Sequence, residues 1–232
     1  ASLNPPRIYQ TKEEYVYEVL RTAIMRCELR PGEKLVLDHL SEELNVSTIP
    51  IRSALQRLQS EGLVEITPHV GAVVSEISPE MINEIFLLLE ALENTAFRVA
   101  ASKANERDIA YLQSIIAEMD KAVNQSDSDR WYELNSEFHR AVCSITEMPM
   151  LIEFTSHALD SWDRLRRHYL HGVKSTRMAV AHAEHQRMIE LMKAHDLDGL
   201  DKLIRQHNAQ AREHYYNLTT RQRQERVEQG GV

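Results

Sequence analysis

His139, His185 and His207 each sit on an apolar stripe at helical spacing. His139 adjoins Phe138 and Val142, His185 precedes Ile189 and Met192, and His207 continues Leu200, Leu203 and Ile204. Each imidazole therefore points toward the centre of a helical assembly from a different helix. One buried histidine is ordinarily satisfied by a hydrogen bond, but three in one core leave several polar nitrogens needing partners. A divalent cation satisfies them together, and imidazole nitrogen suits zinc, nickel, cobalt or copper. Asn135, four residues before His139 in the run NSEFH, shares its face. Three neutral imidazoles leave a divalent ion's charge uncompensated, which predicts that the site attracts an anion. Three histidines with an open position also describe catalytic zinc, so a metal-dependent hydrolase is the alternative function. The chain has no HExxH, and the spacing turns Glu184 off the ligand face, which leaves no evident general base.

A second group of residues suits contact with DNA. The run from Leu44 to Ser60 carries only two charges, Arg52 and Arg57. Within it Ile51, Leu55 and Leu58 form one helical stripe, while Thr48, Arg52, Gln56 and Gln59 form another. An arginine can donate two hydrogen bonds to guanine, a glutamine can pair with adenine, and a face free of acids does not repel phosphates. A hairpin after this helix would carry His69 and the Gly71 backbone to its tip, beside the adjacent groove.

These residues require a scaffold of helices. The 232 residues are 43% hydrophobic and 27% charged, enough for two modest cores. A net charge of -8 excludes indiscriminate attraction to nucleic acid, and residues 1–75 hold eight basic against ten acidic side chains, so any DNA contact must be local. There is no apolar run near the roughly 20 residues that cross a bilayer, and the first residues lack signal-peptide character, so a cytoplasmic location is expected. Cys27 and Cys143 read as buried, reduced thiols.

Thr11 to Glu14 reads as a capping box opening the first helix, which RPGEK ends. A short helix from Asp38 to Leu44 follows, then a third that Ser47 can cap and Gly62 ends. Period-two alternation at Val64 and Ile66, a turn, and Ala72–Val74 predict the hairpin. Ser78-Pro79-Glu80 starts a second domain of six helical patterns without β segments, an antiparallel bundle. The expected division is a DNA-binding domain over 1–77, a helical domain over 78–218, and a tail over 219–232 that lacks an apolar face and is predicted to be disordered.

The stretches LRTAIMRCELRPGEKL, LSEELNVSTIPIRSALQRLQSEGLV and GAVV resemble the amino-terminal winged helix-turn-helix of the GntR family of bacterial transcription regulators. That resemblance implies that Ser47, Thr48, Arg52, His69 and Gly71 contact operator DNA. The family often has arginine at Thr48, and some members have it at Asp38, so fewer phosphate or guanine contacts are implied here. The pieces LNSEFHRAV, AEHQRMIELMKAHDLDGL and IRQHNAQA are similar to the ligand-sensing FCD domain of the FadR subfamily, and six helices resemble its VanR-type subgroup. The resemblance implies a divalent metal at Asn135, His139, His185 and His207, a small organic acid as effector, and a homodimer, usually a repressor. Many relatives carry an arginine near the position of Leu89, and Arg98, Arg164 and Arg167 are its candidate substitutes for holding the effector.

Overall fold

The computed structural model describes residues 11–67, 71–170 and 177–228. The chain divides into two compact units between Ile77 and Ser78. In the first, α1 (Lys12–Met25), α2 (Leu37–Leu44) and α3 (Thr48–Ser60) accompany β1 (Lys34–Leu35), β2 (Val64–Thr67) and β3 (Gly71–Val74). The strands form one antiparallel sheet in the order β1-β3-β2.

Local chemistry accounts for these boundaries. Thr11 Oγ1 accepts from the Glu14 N–H at 3.1 Å and opens α1. Asn45 ends α2 in the left-handed region at φ 51°, a conformation asparagine tolerates. Ser47 takes the N-cap position of α3, but its side chain makes no capping bond. Pro50 is harmless there because N–H groups of the first turn have no intrahelical acceptor. Gly62, at φ +71°, turns the chain from α3 into β2, where a side chain would strain the backbone. Strand β1 was not legible in the sequence: two residues carry no periodicity, and they become a strand only by pairing with Val73 and Ala72.

Ile51, Ala54, Leu55 and Leu58 of α3 pack with Val16, Leu20 and Ile24 of α1 and with Val64 and Val74 of the sheet. Each large side chain buried this way contributes on the order of 2 kcal/mol. The core thereby fixes which face of α3 remains outside. Cys27 departs from expectation, since it lies past the end of α1 at φ 58° and is only half-buried, whereas Cys143 is buried.

The second unit holds α4 (Met81–Lys103), α5 (Glu106–Gln125), α6 (Ser128–Ile145), α7 (Pro149–Leu170), α8 (Met178–Lys193) and α9 (Leu197–Glu228). This is the mostly α, all-helical carboxyl-terminal domain that the sequence predicts. Asn105 and Asp108 form a reciprocal capping box at the start of α5, and Asp127 accepts from the Arg130 N–H at the start of α6. Helix α4 starts at Met81, later than the Ser-Pro-Glu signal indicates, because Ser78 to Glu80 form a preceding turn.

The expectation of a disordered tail from residue 219 is corrected: α9 runs on to Glu228. Thr219 is fully buried with its hydroxyl on the Tyr215 carbonyl, and Arg223 lies 3.6 Å from Glu80. Arginine, glutamine and glutamate are good helix formers, so little apolar cover is needed to extend a helix already nucleated. Residues 229–232 lie outside the described part. Among the described residues, no helix is long and apolar enough to cross a membrane.

Candidate functional site

Helices α6, α8 and α9 bring His139, His185 and His207 together. All three are buried, and one nitrogen from each lies within 4.8 Å of the other two. His139 Nε2 is 3.2 Å from His185 Nε2. Two nitrogens bound to one tetrahedral ion at Zn–N distances of about 2.0–2.1 Å stand about 3.3–3.4 Å apart, so this pair matches the spacing of two ligands on one zinc.

Two carboxylates stand behind the rings. His139 Nδ1 is 2.8 Å from Glu93 Oε1, with both side chains buried, and Asn208 Nδ2 donates to Glu93 Oε2 at 2.8 Å. His207 Nδ1 is 2.7 Å from Glu184 Oε2, which also accepts from Arg177 at 2.7 Å. An imidazole that gives its Nδ1 proton to a carboxylate keeps the Nε2 lone pair free to face the centre. Burial holds His185 well below its usual pKa, with the neighbouring His207 and His139 adding to the shift. Burial also lowers His207, against the opposing hydrogen bond to Glu184. Both rings therefore stay neutral near pH 7, as a ligand must. Burial would raise the Glu184 carboxyl, but the His207 hydrogen bond and the Arg177 charge bring it below the ordinary range. Glu93 is likewise lowered, because His139 and Asn208 outweigh its burial. The donor set fits a divalent transition-metal ion.

Sequence reasoning missed Glu93 and the role of Glu184. The signal for Glu93 was present: it interrupts the stripe of Leu89, Ala96, Phe97 and Ala100 on the buried face of α4, where an isolated carboxylate needs a partner. Glu184, which the spacing turned off the ligand face, reaches a ring of the cluster: its Oε2 stands 2.7 Å from His207 Nδ1 across the α8–α9 contact. The expectation that a divalent ion here would lack compensating charge is corrected: Glu93 and Glu184 bring two carboxylates against the rings.

Asn135 lies one turn before His139 and is half-buried. It lines a cavity of about 30 Å³ that His207 and Arg177 also line, walled by Phe86, Trp162 and Tyr215. None of the three sequence candidates for effector contact is on that wall. Arg98 pairs with Asp201 at 2.9 Å on the surface, Arg167 lines an outer groove of α6 and α7 while lying 3.9 Å from Glu133, and Arg164 is buried within α7. Arg177, at the entry to α8, is the arginine on the cavity wall. It was illegible because its position depends on partners about 30 residues away in α9: its guanidinium donates to the His207 carbonyl and to Gln210.

In the first unit, Ser47, Arg52, Gln56 and Gln59 are exposed, and Thr48 is half-buried. Arg57, the other charge of the run, is engaged: its guanidinium stands 3.5 Å from the centroid of the Tyr17 ring. Arg52 thus becomes the cation of the outward face of α3. A groove of about 350 Å³ lies between α3 and the sheet, with Arg52, Gln56, Lys34 and Gly71 among its lining residues. The exposed Gly71, at φ +107°, begins β3 opposite Thr67. His69 lies outside the described residues.

Residues 12–74 match the family described as bacterial regulatory proteins, gntR family, and residues 84–210 match the FCD domain. The HTH-type transcriptional repressor RspR of Escherichia coli K12 is 26% identical over 205 residues, covering 88% of both chains. The HTH-type transcriptional regulator McbR of the same organism is 28% identical over 174 residues, covering 74% of this chain and 77% of McbR. A solved structure of E. coli McbR/YncC superposes with a TM-score of 0.73 at 23% identity, covering 89% of this chain and 98% of that one, a likeness of fold. These families and relatives are transcriptional regulators and not enzymes, which removes the hydrolase alternative. With a gntR-type DNA-binding domain followed by an FCD domain over more than half its length, the chain belongs to the GntR family of transcriptional regulators.

Proposed function

We propose that this regulator is a cytoplasmic homodimeric repressor whose helical unit holds one divalent ion, zinc or nickel, and a small organic acid that alters operator binding. The observation that carries the reading is the convergence of three buried imidazoles, two of them backed by carboxylates. His139, His185 and His207 hold the ion, and Asn135 lines the small cavity that His207 also lines. The ion supplies a Lewis-acidic centre for a carboxylate oxygen. Two carboxylates set against one guanidinium and a divalent ion leave a single positive charge, which favours a monoanion. Arg177 takes the place of Arg98, Arg164 and Arg167 as the second cationic contact, and a cavity of about 30 Å³ favours acids of few atoms.

Dimerisation rests on exposed apolar side chains of two helices that pack together: Leu87 and Leu88 of α4, and Met150 and Phe154 of α7. The sign of regulation follows RspR, which is named a repressor.

The test is thermal. Stripping the purified protein with a chelator lowers the melting temperature by about 5–10 °C, and zinc or nickel restores it. Small carboxylic acids then raise the melting temperature of the metal-loaded protein only, and His185→Ala abolishes both responses. A purified protein free of metal by elemental analysis, with a melting temperature indifferent to added zinc and nickel, overturns the reading.

A further inference from the structure

Of the large hydrophobic side chains exposed among the described residues, Ile49 is the most exposed, at 74%. It occupies the second position of α3, between Thr48 and Pro50. At 100° per residue it lies about 20° from Gln56 and about 60° from Arg52 around the helix axis. The buried residues Ile51, Ala54, Leu55 and Leu58 face the opposite side. An apolar β-branched side chain thus stands at the middle of the outward face, with the two residues best suited to read bases side by side to one side of it. An isolated exposed isoleucine on an arbitrary surface needs no explanation. On the reading face of a DNA-binding helix, it meets base edges in the major groove, where the one apolar group is the thymine methyl.

The rest of the face agrees with this. It is poor in charge: Arg57 is held against the Tyr17 ring and beside Glu61, and Thr48 is neutral. Recognition must then rely more on the shape and apolarity of base edges than on phosphate attraction.

We propose that Ile49 determines operator specificity by packing on a thymine methyl group in each half-site, next to the bases read by Arg52 and Gln56. The proposal rests on α3 being the helix that enters the major groove. Of Ile49, Arg52 and Gln56, Ile49 is the one that distinguishes a methylated pyrimidine from an unmethylated one, since neither the arginine nor the glutamine gains a hydrogen bond from that methyl.

The experiment begins with the full-length protein and a library of randomised duplexes, from which the sequences bound best are selected. The selected duplex is then made with deoxyuridine in place of each thymine in turn, which deletes one methyl and leaves every hydrogen-bonding group. Binding is titrated at fixed salt for the native protein, Ile49→Ser and Arg52→Ala. At one position per half-site, uracil weakens the native protein about fourfold, the transfer of roughly one methyl group from water. Ile49→Ser binds the thymine and uracil duplexes within a factor of about two, and its own selection loses the thymine at that position. Ile49 is exposed, so the variant should melt with the native protein.

If uracil costs the native protein nothing at any position, or if Ile49→Ser retains the full discrimination, the proposal is overturned. If Arg52→Ala binds the selected duplex as tightly as the native protein does, then α3 does not read bases and the underlying assignment fails with it. If selection yields no preferred sequence, both fall.

Discussion

The metal-binding proposal depends on single atoms. An imidazole chooses its tautomer according to what its other nitrogen meets, and the Glu93 carboxylate 2.8 Å from His139 Nδ1 favours a proton on that nitrogen. Glu93→Gln keeps the shape of the side chain and a group for Asn208 to donate to, but removes the charge behind the ring. Zinc affinity should fall about 10- to 100-fold while the helical circular dichroism is unchanged, as measured by competition with a fluorescent chelator. An unaltered affinity would show that Glu93 merely fills the core. At this scale the sequence revealed the three histidines through their apolar neighbours, and Asn135 through its spacing from His139 and the family resemblance. It did not reveal which carboxylates stand behind the rings, because Glu93 and Glu184 meet their partners 46 and 23 residues along the chain.

Elements are joined by ties of the same kind. Tyr17 of α1 donates its phenol proton to Glu61 at the end of α3 at 2.6 Å, and Arg21 reaches the other oxygen of that carboxylate at 3.2 Å. Burial first, and then this hydrogen bond, push the phenol up from 10.0 to about 12. The neutral phenol is the form the fold prefers, so the tie contributes fully below pH 10 and is lost as pH rises through 12. Tyr17→Phe lacks that titration. The stability difference between native protein and variant, followed by denaturant unfolding of the amino-terminal unit, should therefore shrink across this interval. A difference that stays constant would mean that the tie does not set α1 against α3. Helices α1 to α9 were each legible from apolar periodicity and caps, but β1 was not, because two residues become a strand only when β3 offers them acceptors and donors. The last turns of α9 were missed since Thr219 has no apolar signature, yet is fully buried.

In the proposed homodimer two copies of α3 would meet two half-sites, one from each chain. Leu88 is exposed on α4 beside Leu87, and in that dimer a second copy would cover it. Leu88→Glu should yield a monomer by light scattering, with intact zinc binding and at least tenfold weaker affinity for a two-half-site operator. A variant that remains dimeric would move the interface away from α4. What the sequence by itself determined is the order of helices, the hairpin, the outward face of α3 and the three inward histidines, because all of these follow from periodicity within one segment. Only the tertiary structure decided that Glu93 and Glu184 back the rings, that Arg177 and not Arg98, Arg164 or Arg167 lines the adjacent cavity, and that Arg57 is withheld from the reading face. Those assignments are distances between residues far apart in the chain, set by how whole helices pack and carried by no local pattern.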